Sequence, residues 1–111
     1  MSRISKSEVA AVGKAFSDPN RLSIYIEIAG RRELYVSELR VCRILSNATI
    51  SHYLRVLTQA GLVMSRHGGK NIFYRADPAQ LIRYCRYLYK LVEPQYSSEA
   101  LTFTSALEKR P

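Results

Sequence analysis

The segment SNATISHYLRVLTQAG, Ser46 to Gly61, does most to constrain what this chain can fold into. On a wheel of about 100° per residue, Ile50, Leu54 and Leu57 share one face with Tyr53 at its edge. The opposite face carries Ala48, His52, Arg55 and Gln59, flanked by Thr49 and Ser51. A helix with a single apolar face must dock it on a core. Ser46 is suited to cap its start and Gly61 to close its end. Another apolar-periodic segment, near Ser37 and carrying Leu39, Val41, Cys42 and Leu45, stops where this one begins. Two helices so closely joined pack as a helix-turn-helix. Immediately downstream, Leu62–Arg66 and Asn71–Arg75 read as strands around His67, Gly68, Gly69 and Lys70, a glycine-containing hairpin.

The rest of the chain supplies the scaffold. A first helix is expected over Glu8–Phe16, capped by Ser5 or Ser7, with Val9, Val12 and Phe16 along one face. Asp18-Pro19 pairs a cap with a proline at the first helical position. The helix it starts runs through Leu22, Ile24, Tyr25, Ile26 and Ile28 to Gly30, read as a left-handed stop. Asp77-Pro78 repeats the signal for a helix through Val92, ended by Pro94, with a short sixth helix over Ser97–Leu107. The 111 residues make one domain. The expected fold is mainly α with a small β-hairpin: four helices, two strands, one helix. The helix-turn-helix spans about 36–60, the wing about 62–76, and the dimerisation helices about 7–16 and 78–93.

Charge points to a polyanionic partner. The chain has 17 Lys+Arg against 9 Asp+Glu, a formal net charge of +8. Between Arg31 and Arg75 stand eight basic residues (Arg31, Arg32, Arg40, Arg43, Arg55, Arg66, Lys70, Arg75) and two acids, Glu33 and Glu38. The excess therefore coincides with the helix-turn-helix and hairpin. The outward face of the second helix is short, polar and free of acids, as base reading in a major groove requires. Ser46 and Asn47 sit where helix N-terminal amides can hold a phosphate. Arg66, His67 and Lys70 surround a thin cationic hairpin tip suited to a minor groove or phosphate backbone. Expected DNA contacts are thus Ser46, Asn47, Ala48, Thr49, Ser51, His52, Arg55, Gln59, Arg66, His67 and Lys70. His52 and His67 also read as ordinary solvated histidines. The N-terminal MSRISKSEVAAVGKAF has no long apolar run, and no stretch approaches the length of a membrane helix. The expected location is cytoplasmic.

Three stretches taken together resemble the ArsR-type (ArsR/SmtB) repressors: ELYVSEL, TISHYLRVLTQAGLV and GGKNIFYRAD, within about residues 8–92. The resemblance implies a homodimeric winged helix-turn-helix repressor that binds double-stranded operator DNA and leaves it when a small inducer binds. It also implies that the last helix contributes to the dimer interface. The metalloid sensors of that family carry cysteines as ELCVC, where this chain has Tyr35 and Ser37, so the thiolates a soft ion needs are missing there. A further family site draws Asp and His from the last helix, and LIRYCRYLYKLVEP has neither, only Cys85 and Glu93. No metal and no cofactor are expected.

Cys42 and Cys85 are the remaining sensing candidates. Each reads either as a small buried hydrophobe or as a thiol that meets an oxidant, a sulfur species or a thiophilic ion. Arg40 and Arg43 flank Cys42, and cations lower a thiol pKa. Cys85 lies on the stripe Leu81, Cys85, Leu88, Val92, read as a packed seam, with Tyr84, Tyr87, Tyr89 and Tyr96 as interface packing and a ligand pocket as their alternative use. A protein-interaction module is the alternative function, and it would be expected to expose apolar residues where His52, Arg55 and Gln59 stand. No nucleophile–base pair, phosphate loop or paired carboxylates point to an enzyme.

Overall fold

The computed structural model describes the backbone of residues 3–108 and the side chains of 3–41 and 43–93. Helix α1 is Lys6–Ala15, α2 Pro19–Ala29, α3 Asn47–Gln59 and α4 Pro78–Glu108. Strands β1 (Leu34–Tyr35), β2 (Val63–Gly68) and β3 (Asn71–Ala76) form an antiparallel sheet in the order β1-β3-β2. Two 3-10 turns, Val36–Glu38 and Arg40–Arg43, lie between β1 and α3.

Local capping chemistry sets most of these boundaries. Ser5 and Glu8 form a capping box on α1: Ser5 Oγ accepts from the Glu8 amide at 3.1 Å, and Glu8 Oε1 from the Ser5 amide at 3.2 Å. Asp18 Oδ1 accepts from the amides of Asn20 and Arg21 at 2.8 and 3.1 Å, with Pro19 opening α2. Helix α3 ends in a Schellman motif. The Leu62 amide reaches the Leu57 carbonyl and the Gly61 amide the Thr58 carbonyl, each at 3.0 Å, with Gly61 at φ +77. The core is Val12, Ala15, Ile24, Tyr25, Ile28, Leu34, Leu39, Ile50, Leu54, Leu57, Ala60, Leu62 and Val63. Every described helix and the base of the wing therefore close on one apolar centre.

A Cβ at Gly61 would lie 3.1–3.3 Å from the Gln80 side chain, on a backbone that L residues avoid. At Gly69, φ +64, it would meet nothing within 4 Å. Gly61→Ala is expected to lower the unfolding free energy by about 1–2 kcal/mol, and by more than Gly69→Ala. Urea titrations of the two variants check the order.

Several expectations are corrected. The helix expected near Ser37 is the pair of 3-10 turns, split at Leu39, whose ψ is 133. The Glu27 carboxylate accepts from the Arg40 amide at 3.1 and 3.3 Å, a proton that a continuous α-helix would give to a carbonyl. Strand β1 was not anticipated: two residues carry no readable alternation, and their pairing partners lie on β3. Gly30 is right-handed at φ −77, so nothing in its backbone demands glycine. Pro94 does not end the last helix, and no separate sixth helix follows: α4 continues to Glu108. Proline removes one amide donor, and its neighbours on both sides retain helical backbone. Among the described residues no helix is long and apolar enough to cross a membrane.

Candidate nucleic-acid interface

Helix α3 is held with one face outward. Ile50, Leu54 and Leu57 are buried beneath it. Asn47, Ala48, Ser51, His52, Arg55 and Gln59 are exposed, and Thr49 is half-buried. The structure thus brings together six of the eight candidates on this segment as an open polar face. The other two serve its cap: Ser46 Oγ accepts from the Thr49 amide at 3.1 Å and lies 2.9 Å from the Thr49 hydroxyl.

A polar latch sets the attitude of α3. Tyr53, at the edge of the apolar face, donates its hydroxyl to Asp18 Oδ2 at 2.8 Å. Asp18 is the cap of α2, so one carboxylate joins the start of α2 to the middle of α3. The two α2 amides, that of Arg21 first, and the Tyr53 hydroxyl hold the Asp18 carboxyl below its ordinary value; the same bond pushes the Tyr53 phenol up. Arg21 is buried, and its guanidinium lies 5.1 Å from the Tyr53 ring centroid. It donates to the Ala15 and Lys14 carbonyls at 2.7 and 2.9 Å, closing the end of α1. At the other end of α3, buried Gln80 of α4 donates Nε2 to the Ala60 carbonyl at 2.9 Å, and its Oε1 accepts from Arg83 at 2.7 and 3.2 Å. Sequence reading missed both ties. The available signal was Tyr53 itself, since a tyrosine at the rim of an apolar face needs a partner for its hydroxyl.

The wing is the β2–β3 hairpin. Gly68 pairs with Asn71 and leaves Gly69-Lys70 as a two-residue turn. Glycine stands at the first central position with positive φ, as primed hairpin turns demand. His67, Lys70 and Arg75 are exposed along it. Arg66 is exposed but engaged: Nε donates to Glu33 Oε2 at 2.8 Å and Nη2 to Oε1 at 2.6 Å. Its guanidinium lies 4.6 Å from the Phe73 ring centroid, directly across the β2–β3 ladder. Tyr35 packs edge-on against the same ring at 5.5 Å. Arg31 bonds Glu38 at 2.6 Å. Both acids of the basic window are thereby consumed. Arg32, Arg40, Arg43, Arg55, Lys70 and Arg75 remain outside any ion pair among the described residues.

Helix α4 divides its side chains. Leu81 and Tyr84 pack against the core, and Tyr84 meets Phe16 edge-on at 6.3 Å. Tyr84 is therefore internal packing, not the interface residue expected, because α4 crosses α1 at that point. Ile82, Cys85, Leu88, Tyr89, Leu91 and Val92 are exposed. Cys85 is thus not buried within its own chain. The side chains of Cys42 and Tyr96 lie outside those described. Among the described residues, no three His, Cys, Asp or Glu side chains gather as a metal site would require.

An amphipathic helix presented over a cationic hairpin also appears in known proteins. Over 85 residues, 77% of this chain and 72% of the relative, the sequence is 34% identical to the biofilm growth-associated repressor of Agrobacterium fabrum. The chain belongs to the ArsR/SmtB family. It is also 35% identical over 74 residues, 67% of this chain, to a transcriptional repressor SmtB homolog of Synechocystis sp.. The chain spans little more than half of that relative, 55% of its length. Among solved structures it resembles a homodimeric winged helix-turn-helix DNA-binding domain of Mycobacterium bovis, with 26% identity and a TM-score of 0.61 over 84% of this chain and 92% of the other. No protein-family model matches the chain. In this ArsR/SmtB chain, the two motif positions where metalloid sensors carry cysteine hold exposed Tyr35, edge-on against Phe73, and exposed Ser37.

Proposed function

We propose that this protein is a sequence-specific DNA-binding transcriptional repressor that acts as a homodimer and leaves its operator when an inducer binds. The observation that carries the reading is the outward face of α3. Asn47, Ala48, Ser51, His52, Arg55 and Gln59 present donors, acceptors and one methyl with no carboxylate among them, over a buried seam that fixes their direction. That face fits a major groove and reads base edges. His67, Lys70 and Arg75 on the wing, with Ser46 and Thr49 at the start of α3, lie against phosphates and position the complex without reading sequence. Ile82, Cys85, Tyr89 and Val92, at i, i+3, i+7 and i+10, form an apolar face on α4 that a second copy covers. The homodimeric M. bovis domain supports that assembly. Two α3 helices then read half-sites about one DNA turn, roughly 10 base pairs, apart. Cys85 is exposed in the single chain and lies on this face, so an inducer that reacts with its thiol would act directly on the dimer contact.

The test is binding to an operator selected from random DNA by the purified protein, measured across a salt series. Arg55→Ala is expected to weaken operator binding by about 1–3 kcal/mol with little change on unrelated DNA. Lys70→Ala should weaken both alike and reduce the salt slope by about 0.9. If Arg55→Ala leaves operator and unrelated affinity unchanged, α3 does not read DNA.

A further inference from the structure

Among the described residues, Arg66 is the one wing cation already held in an ion pair. Its partner Glu33 lies just before β1, 33 residues away. Both carboxylate oxygens are used, in the parallel two-bond geometry a guanidinium also adopts with phosphate. The grip is deep in chemistry but shallow in position, since the Arg66 side chain is 58% exposed and that of Glu33 27%. Exposed ion pairs usually contribute little to stability, and a bidentate pair such as this is the kind that contributes more. Arg32 and Arg75 also lie close enough to help hold the Glu33 carboxyl below its ordinary range, after Arg66 itself. One carboxylate thus sits among three arginines on the surface that carries the wing. The space around the pair is fixed too: a Cβ at Gly68 would lie 2.7 Å from the Phe73 ring and 3.1 Å from Arg66 Nη1.

We infer that Glu33 is an affinity-setting residue: by holding Arg66, it withholds one arginine from DNA phosphates. The inference rests on the DNA-binding reading above. A carboxylate and a phosphate oxygen compete for the same guanidinium fork, and the carboxylate is tethered. While it holds, Arg66 displaces no condensed counterion from DNA. Its phosphate contact would carry no sequence information, so withholding it lowers affinity for operator and unrelated DNA together. The base contacts of α3 then make up a larger share of what remains, and the protein is easier to release.

Glu33→Gln removes the charge while keeping the shape. It should steepen the slope of log affinity against log salt by about 0.9, one phosphate contact, on unrelated duplex DNA. With that slope, affinity should rise about eightfold at 0.1 M salt and converge with the parent near 1 M. Glu33→Ala should do the same. Adding Arg66→Met to Glu33→Gln should restore the parental slope. A purely structural role for the pair would move thermal stability and leave the slope alone. An unchanged slope, or weaker binding at every salt concentration, overturns the inference. If the parent itself shows no salt-dependent DNA binding, the repressor reading falls and this one with it; if the parent binds and Glu33→Gln matches it, only this one falls.

Discussion

Placing glutamates at Ile82 and Val92 together should turn the protein into a monomer at micromolar concentration while it keeps its fold. Both side chains are open in the single chain, at 48% and 47% exposure, so the substitutions disturb little within one copy. In a dimer they would bury four carboxylates without partners. An unpaired buried charge is destabilising by about 3–5 kcal/mol, more than an interface of modest size can offset. Operator affinity should fall on the order of a hundredfold or more, because two linked half-sites bind far more tightly than one. Sedimentation gives the mass, circular dichroism the fold, and anisotropy the affinity. A monomeric parent, or a variant that stays dimeric, would show that this face is not the interface.

Leu57→Ala should be among the most damaging single changes to stability. Leu57 is fully buried, lies on the inward face of α3 and supplies the carbonyl that accepts the Leu62 amide in the helix stop. Truncation removes three carbons and leaves a cavity that the rigid helix cannot collapse onto, at about 2–5 kcal/mol. Domains of this size are stable by about 5–15 kcal/mol in total, so the loss is a large fraction. The midpoint of thermal unfolding should drop by at least about 8 °C. Arg55→Ala, on the opposite face of the same helix, should leave the midpoint nearly unchanged. A Leu57→Ala loss below about 1 kcal/mol would mean that α3 does not pack through Leu57.

Most of what depends on neighbours within a turn or two was legible in the residues, with Gly30 and Pro94 as the exceptions. Ser5, Asp18-Pro19, Ser46 and Gly61 mark their helix ends because each cap bonds two to five residues away. The inward face of α3 follows from its spacing, and the outward face is then whatever remains. The hairpin follows from glycine beside alternating residues. The ArsR/SmtB likeness was likewise carried by short motifs, one at β1 and the turn after it, one on α3 and one on the wing.

Tertiary structure alone decided what depends on partners far along the chain. The Glu27 carboxylate helps break the segment before α3 from 13 residues away. Glu33 engages Arg66 across 33 residues, and Asp18 takes the Tyr53 hydroxyl across 35. Tyr84 and Leu88 stand four residues apart on α4, yet one meets Phe16 and the other is exposed, because the end of α1 packs against α4 at Tyr84. A side chain's hydrogen-bonding capacity can be read from its type, but its partner is set by packing. The sequence therefore determined which face of α3 points outward and that the wing is basic, whereas packing decided at what angle α3 is held and which wing arginine is already taken.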